Sequence, residues 1–240
     1  MPTALFRFHG ELEDLLPAAR RTLAFERGFA PGATLKHAIE ALDVPHTEIG
    51  AVTVDGQPAR LEDRLGDGRR IDVYPMAPAQ HPPETAPRFI ADAHLGALAR
   101  RLRLLGFDTV LATDGADHEL AMLADTEDRI LLSRDRELLK HRRVRRGRFV
   151  RAIRRDEQLR EVVRHFGLRE AIRPFSRCLE CNAPLRAVAR ERVLHRLPEG
   201  VAQRQDAFTA CEGCGRVYWT GTHWRRLAEI VDALAVDPTP

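Results

Sequence analysis

Lysine, cysteine and long apolar runs are all scarce in this chain of 240 residues. No apolar run approaches the roughly 20 residues that a membrane-spanning helix needs, so a membrane protein is not expected. The N-terminal segment MPTALFRFHGELED lacks the basic and apolar regions of a signal peptide, which predicts a cytoplasmic protein. The four cysteines occur as two tight pairs, and this spacing favours metal binding over a disulfide framework.

Charge is unevenly distributed along the chain. Residues 1–80 carry 9 Lys and Arg against 12 Asp and Glu, whereas the remainder carries 29 against 23. Basic residues are densest in 134–155, and a polyphosphate such as a nucleic acid is the expected partner of this local positive charge. A solvated face or a general preference for arginine, since the chain has only two lysines, is the competing interpretation. The predicted nucleic-acid-binding residues are Arg134, Arg136, Lys140, Arg142, Arg143, Arg145 and Arg146.

A proline-rich stretch divides the chain. Five prolines in PMAPAQHPPETAP predict a stiff, extended connection between domains. The predicted organisation is a domain over 1–77, a linker over 78–87, a second domain over 88–172 and a cysteine-containing module over 173–240.

The first domain shows the order strand, strand, helix, strand, strand. The strands are predicted at Ala4–Phe8, Thr22–Glu26, Ala51–Val54 and Arg70–Tyr74, and Asp55–Gly56 is a strong hairpin signal. Thr34 can cap a helix whose apolar residues share one face. This order predicts an α+β sheet crossed by a helix.

After the linker, strands alternate with helices, which predicts βαβ units and a parallel sheet. Strands are expected at Phe89–Ile90, Thr109–Ala112, Arg129–Ser133 and Phe149–Ile153. Ligands of open parallel sheets bind beyond the carboxyl ends of the strands.

Acidic residues follow these strands, and four of them are predicted to meet at one sheet edge. They are Asp92, Glu119, Asp135 and Asp156, with Asp117 as an alternative to Glu119. Like charges in one place need a cation, and carboxylate oxygens suit magnesium or manganese. Such ions can clamp a phosphodiester and activate water. Helix capping is the competing role for each acid.

The cysteine pairs are Cys178–Cys181 and Cys211–Cys214. Two CxxC turns supply four thiolates for one zinc ion and leave no open coordination position, so a structural site is predicted. Tyr218, Trp219, His223 and Trp224 follow and could stack unpaired bases, although packing of a small core is the simpler role.

Several motifs together resemble the Mut-seven C-terminal RNase domain family, a PIN-like fold with an appended zinc ribbon. The carrying segments are FIADAHLGALARRLRLLGFD (89–108), HEL (118–120), RILLSRD (129–135), DEQL (156–159), C-x₂-CNAPL (178–185) and C-x₂-C-x₂-VYWTGTHW (211–224). The resemblance implies a metal-dependent ribonuclease with acids at Asp92, Glu119, Asp135 and Asp156. It also implies Glu119 rather than Asp117, because Glu119 immediately precedes Leu120. Ser133 departs from the threonine that is common in the family.

The N-terminal domain resembles the ubiquitin-like β-grasp domains related to small sulfur carriers. The strand ending at Tyr74 continues into further chain instead of a free Gly-Gly end, so carrier chemistry is not expected and a docking or RNA-positioning role remains.

The predicted protein is therefore a ribonuclease with structural zinc, catalytic magnesium or manganese, and RNA as partner. Asp92 and Asp135 would be the direct ligands of the catalytic ion. A non-catalytic RNA- or ribosome-associated protein, or a toxin-like nuclease, is the alternative.

Overall fold

The N-terminal part of the computed structural model is a sheet of five strands crossed by one helix. Its elements are β1 (Thr3–Phe8), β2 (Phe25–Gly28), α1 (Leu35–Glu40), β3 (Ile49–Val54), β4 (Gln57–Ala59) and β5 (Arg70–Pro75). The strand order is β2-β1-β5-β3-β4; β1 and β5 are parallel, and the other neighbours are antiparallel. This is the β-grasp arrangement that the sequence predicts.

Local signals explain these elements. Side chains alternate along β1, so that Ala4, Phe6 and Phe8 are buried in the core. The Thr34 hydroxyl accepts a hydrogen bond from the His37 N–H at 3.2 Å and caps α1. Asp55 and Gly56 have φ values of 51° and 80°, as a two-residue hairpin turn requires.

The central part alternates strands and helices. Its elements are β6 (Phe89–Ala91), α2 (Gly96–Leu104), β7 (Thr109–Leu111), α3 (Asp117–Thr126), β8 (Ile130–Ser133), α4 (Arg136–Lys140), β9 (Gly147–Phe149) and α5 (Arg155–His165). β6 pairs with β7 and β8 pairs with β9, and both pairs are parallel. The expected parallel pairing is confirmed.

Two features of this part differ from the prediction. The strand expected at Phe149–Ile153 lies at Gly147–Phe149, where Gly147 and Arg148 pair with Leu131 and Leu132. The short helix α4 within the arginine run was not predicted. It forms because Asp135 caps its N-terminus and Leu138 and Leu139 are buried.

The C-terminal part is an antiparallel sheet followed by a long helix. Its elements are β10 (Leu185–Val188), α6 (Val201–Arg204), β11 (Phe208–Cys211), β12 (Val217–Trp219) and α7 (Thr222–Val236). The strand order is β10-β11-β12. One CxxC turn precedes β10, and the other connects β11 to β12.

The chain forms two compact units. The first contains Met1–Pro78 and Asp114–Val150, and the second contains Ala79–Thr113 and Arg151–Pro240. The structure describes residues 1–113 and 115–236, apart from the side chains of Thr222, His223, Arg226, Ala235 and Val236. Within these residues, no helix has the length and apolar character needed to cross a bilayer.

Candidate metal and nucleic-acid sites

The four cysteines form one cluster in the second unit. Their sulfur atoms all lie within 4.8 Å of one another. The Sγ atoms of Cys178 and Cys214 are 3.7 Å apart, and those of Cys181 and Cys211 are 3.2 Å apart. A tetrahedral ion with bonds of about 2.3 Å to sulfur requires sulfur–sulfur edges of about 3.8 Å. The donor set therefore fits a single tetrahedral metal ion.

The surroundings of the cluster favour thiolate at one ligand. Burial of Cys178 opposes a negative charge, but hydrogen bonds from the Cys181 N–H, the Tyr218 hydroxyl and the Glu180 N–H lower the pKa of Cys178 to about 6. Burial, together with the neighbouring Cys181, raises the pKa of Cys211 to about 12. Four thiols at this spacing cannot all ionise without a cation. The chemistry of the site thus calls for a bound metal.

A buried arginine holds the first cysteine turn in place. Arg103 of α2 donates to the carbonyls of Leu179 at 3.0 Å and Glu180 at 2.6 Å, and its Nε donates to the Thr109 carbonyl at 2.8 Å. Asn182 bonds the Thr109 N–H and the Asp108 carboxylate. These contacts fasten the first turn of the ribbon to α2 and β7 in the same unit.

Two of the predicted acids lie in this second unit. Asp92 follows β6, and its carboxylate accepts a hydrogen bond from the His94 N–H at 2.9 Å. Its side chain is buried, which is uncommon for an aspartate. Asp156 lies in the first turn of α5, where its Oδ1 is 2.6 Å from Arg101 Nη2.

The other two predicted acids lie in the first unit, and both cap helices. Asp135 follows β8 and accepts from the N–H groups of Glu137 at 2.8 Å and Leu138 at 3.3 Å. Glu119 of α3 reaches back to the Ala116 N–H at 3.2 Å. Asp117 also lies in the first turn of α3 and is exposed.

The structure brings the four cysteines together, but it divides the four acids between the units. Within either unit, the described residues contain no group of three or more carboxylates or histidines close enough to share an ion. The convergence of Asp92, Glu119, Asp135 and Asp156 therefore stays a prediction.

Several of the predicted nucleic-acid-binding residues have carboxylate partners in the first unit. Arg136 and Lys140 both bind Asp43, at 2.7 and 3.0 Å. Burial of Asp43 acts against its charge, but the hydrogen bonds of Lys140 and Arg136 lower the pKa of Asp43 below its ordinary value. These two basic residues thus connect α4 to the residues that follow α1, and Glu137 also pairs with Lys140, so that two carboxylates compensate their two positive charges.

The remaining members of the predicted set are more exposed. Arg143 and Arg145 lie near Asp125, and Arg146 is 2.9 Å from Asp128. Arg134 is exposed and donates to the Val150 carbonyl, and Arg142 is exposed. RNA binding by this set stays a prediction.

Three functional contacts were not anticipated from the sequence. The Tyr218 hydroxyl lies 3.1 Å from Cys178 Sγ and accepts from the Leu179 N–H. Arg103 is buried, although nothing in the sequence distinguishes it from the neighbouring arginines of α2. Arg148 binds Glu11 and the fully buried Glu48. In β9, Arg148 pairs with Leu132 and precedes Phe149. A charged residue at such a buried strand position needs a partner of opposite charge, but the sequence alone does not identify that partner.

The fold and the site together define an α/β protein with a ubiquitin-like N-terminal domain and a four-cysteine metal-binding module. The chain belongs to the Mut7-C RNAse domain family, whose model matches residues 87–231. The Mut7-C ubiquitin family model matches residues 1–81. Both results confirm the architecture predicted from the motifs.

Two solved structures resemble part of the chain. Both are small archaeal modifier protein 1 of Haloferax volcanii. One is 18% identical and covers 31% of this chain and 98% of its own chain. The other is 17% identical and covers 32% of this chain and 97% of its own chain. The TM-score is 0.26 in each case, so neither likeness supports a further conclusion. No curated protein matches the chain significantly.

Proposed function

We propose that this protein is a ribonuclease that hydrolyses phosphodiester bonds of RNA with the help of magnesium or manganese. The observation that carries the proposal is the match of residues 87–231 to an RNase domain family. The placement of the acids adds to it. Asp92 directly follows β6, Asp135 lies two residues after β8, and Glu119 and Asp156 lie in the first turns of helices.

Asp92 and Asp135 are the proposed ligands of the catalytic ion, because their carboxylates are oriented by hydrogen bonds from the following backbone. Glu119 and Asp156 would complete the site or orient the attacking water. Such an ion, held by these carboxylates, would supply a lowered pKa of bound water and charge neutralisation at the scissile phosphate. Arg101, which pairs with Asp156, would keep that carboxylate in position.

The cysteine cluster is proposed to hold zinc for structure only. Four sulfur ligands fill the coordination sphere of a tetrahedral ion, so no position remains for water or substrate. Its role would be to shape the ribbon, while the exposed arginines of 142–146 hold the RNA backbone. The ubiquitin-like domain is proposed to contact a protein partner or to position RNA.

The test is cleavage of RNA by the purified zinc-loaded chain with manganese. The Asp92→Asn variant should lose cleavage by about a hundredfold or more, because a ligand of the ion is removed. Asp117→Asn is the matched control: its side chain is exposed in the same turn as Glu119, and it should cleave like the unaltered chain. Equal cleavage by Asp92→Asn and the unaltered chain would contradict the assignment.

A non-catalytic RNA-binding protein is the second candidate. One observation favours it: each of the four acids already has a structural partner, either a helix N-terminus or Arg101. This candidate predicts salt-sensitive RNA binding that survives Asp135→Asn, with no cleavage under either metal.

A further inference from the structure

A cavity lies in the ribbon beside the first cysteine turn, and none of its lining residues is a proposed metal ligand or catalytic acid. Its volume is about 630 Å³, which is within the range of ligand pockets in proteins. Its floor is apolar and is formed by side chains such as Leu185, Phe208, Val217 and Leu227. The whole cavity belongs to the second unit.

Aromatic rings form one wall of this cavity. Phe175 and Trp224 stack on each other, with ring centroids 4.4 Å apart and an interplanar angle of 18°. Tyr218 also lines the cavity, but its hydroxyl is engaged by the first cysteine turn. Trp219 lines the cavity too, and it has no stacked ring partner among the side chains that the structure describes. A flat ligand can therefore stack on an aromatic surface that is already fixed in place.

Three arginines are among the residues that line the cavity. Arg100 Nη2 and Arg216 Nη1 approach the same oxygen, Glu180 Oε1, at 2.6 and 3.3 Å. Both guanidinium groups are about half exposed. Because one carboxylate faces two guanidinium groups, the pair keeps a net positive charge and donors for a further anion. Arg177 adds a third cation to the lining, offset by Asp108.

We infer that this cavity binds an unstacked base of single-stranded RNA, with Arg100 and Arg216 holding the adjacent phosphate. The inference deepens the proposed function, on which it rests for the choice of RNA. A flat π surface beside paired arginines matches a nucleotide, since base stacking and phosphate neutralisation together are how single strands are bound. A purely apolar peptide would leave the net positive charge of the two arginines and Glu180 uncompensated. The ribbon would thus hold the strand by one base while the acids act elsewhere on it.

The chain itself supplies the probe. It contains two tryptophans, Trp219 and Trp224, and both line this cavity. Tryptophan fluorescence therefore reports directly on the site. The experiment titrates the zinc-loaded full chain carrying Asp92→Asn, so that RNA stays intact, with short single-stranded oligoadenylate. Fluorescence should be quenched saturably, and duplex RNA of the same length should quench much less because its bases stay stacked.

Variants separate the cavity from general charge. Trp219→Ala should weaken binding by roughly tenfold or more, and Trp219→Phe should retain most of it. The double variant Arg100→Gln with Arg216→Gln should weaken binding by a similar factor. Arg186→Gln is the matched control: Arg186 pairs with Glu212 on the same ribbon but lies outside the cavity, so binding should not change. Zinc content and circular dichroism check that each variant folds.

The inference is overturned if oligoadenylate binds, as measured by anisotropy of labelled RNA, without quenching tryptophan. It is also overturned if the cavity variants bind as tightly as Arg186→Gln. Failure of the proposed function looks different, because cleavage plays no part in this titration. If the unaltered chain cleaves RNA but RNA does not quench tryptophan, the proposed function stands and the base-binding cavity is contradicted. If RNA quenches tryptophan but the unaltered chain never cleaves it, the cavity stands and the ribonuclease proposal is contradicted.

Discussion

The cysteine ribbon and the arginine-rich segment differ in where their partners come from. In the ribbon, each CxxC turn places two ligands three residues apart, and two turns complete the set. In the arginine-rich segment, the partners of Arg136 and Arg148 are Asp43, Glu11 and Glu48, which lie about a hundred residues away in the chain. The cysteine cluster can therefore be predicted from local spacing, whereas the partners of the arginines are determined by the fold.

This difference decides how a charged cluster is interpreted. A thiolate set at metal spacing has few other uses, so its chemistry follows from the sequence. A run of arginines can bind RNA or can bind the protein's own carboxylates. Here Arg136, Lys140 and Arg148 bind carboxylates of the N-terminal domain, so these residues of the basic segment also stabilise the first unit. The arginines left exposed are the better candidates for RNA.

The largest effect should come from the ribbon. Cys178→Ser should abolish stoichiometric zinc and unfold the ribbon, since structural zinc is worth about 10–16 kcal/mol of apparent binding free energy. Zinc per chain, measured by elemental analysis, and protease sensitivity of 173–236 are the readouts. Glu212→Gln, within the second CxxC turn but not a ligand, is the control and should retain zinc. Full zinc in Cys178→Ser would contradict the four-cysteine site.

Loss of the buried arginine should come next. Arg148→Met leaves Glu48, which is 0% exposed, as a buried carboxylate without its cation. Breaking a buried pair by removing one partner costs about 3–5 kcal/mol, and chemical denaturation would measure it. Arg145→Met is the control: the Arg145 side chain is 79% exposed, and its ion pair with Asp125 should contribute about 1 kcal/mol or less. A similar loss of unfolding free energy in the two variants would contradict the difference between the buried and the exposed arginines.

The smallest effect concerns pH. Because the pKa of Asp43 is lowered in the folded chain, its ion pairs stabilise the first unit above the ordinary aspartate pKa near 3.8, and that contribution is lost as pH falls below it. The side chain is about half exposed, so solvent screening keeps the effect small. Melting temperature compared at neutral pH and near pH 3 should fall less for Asp43→Asn than for the unaltered chain. An identical pH dependence would show that Asp43 contributes nothing.

Most of the fold was predictable from local signals. The alternation in β1, the Thr34 cap and the Asp55–Gly56 turn are each determined by neighbours in sequence, and each was found as expected. The position of β9 and the helix α4 were not predictable in the same way. Arg148 is a strand residue only because Glu11 and Glu48 neutralise it, and this requires the folded N-terminal domain.

The candidate sites divide along the same line. Spacing alone was enough for the cysteine cluster, but it could not reveal that Tyr218 bonds Cys178 or that Arg103 holds the turn, since both contacts join distant segments. The acids are single residues from separate elements. Their individual positions after strands and in first turns were predictable, but no local signal determines their joint geometry.

The central proposal is that Asp92 and Asp135 bind one catalytic ion, and binding of manganese tests it most directly. Electron paramagnetic resonance of Mn²⁺ added to the zinc-loaded chain counts bound ions without requiring cleavage. Asp92→Asn, in the second unit, and Asp135→Asn, in the first, should each weaken binding by about tenfold or more, and Asp117→Asn should not. Unchanged manganese binding in both variants would contradict the proposed roles of Asp92 and Asp135.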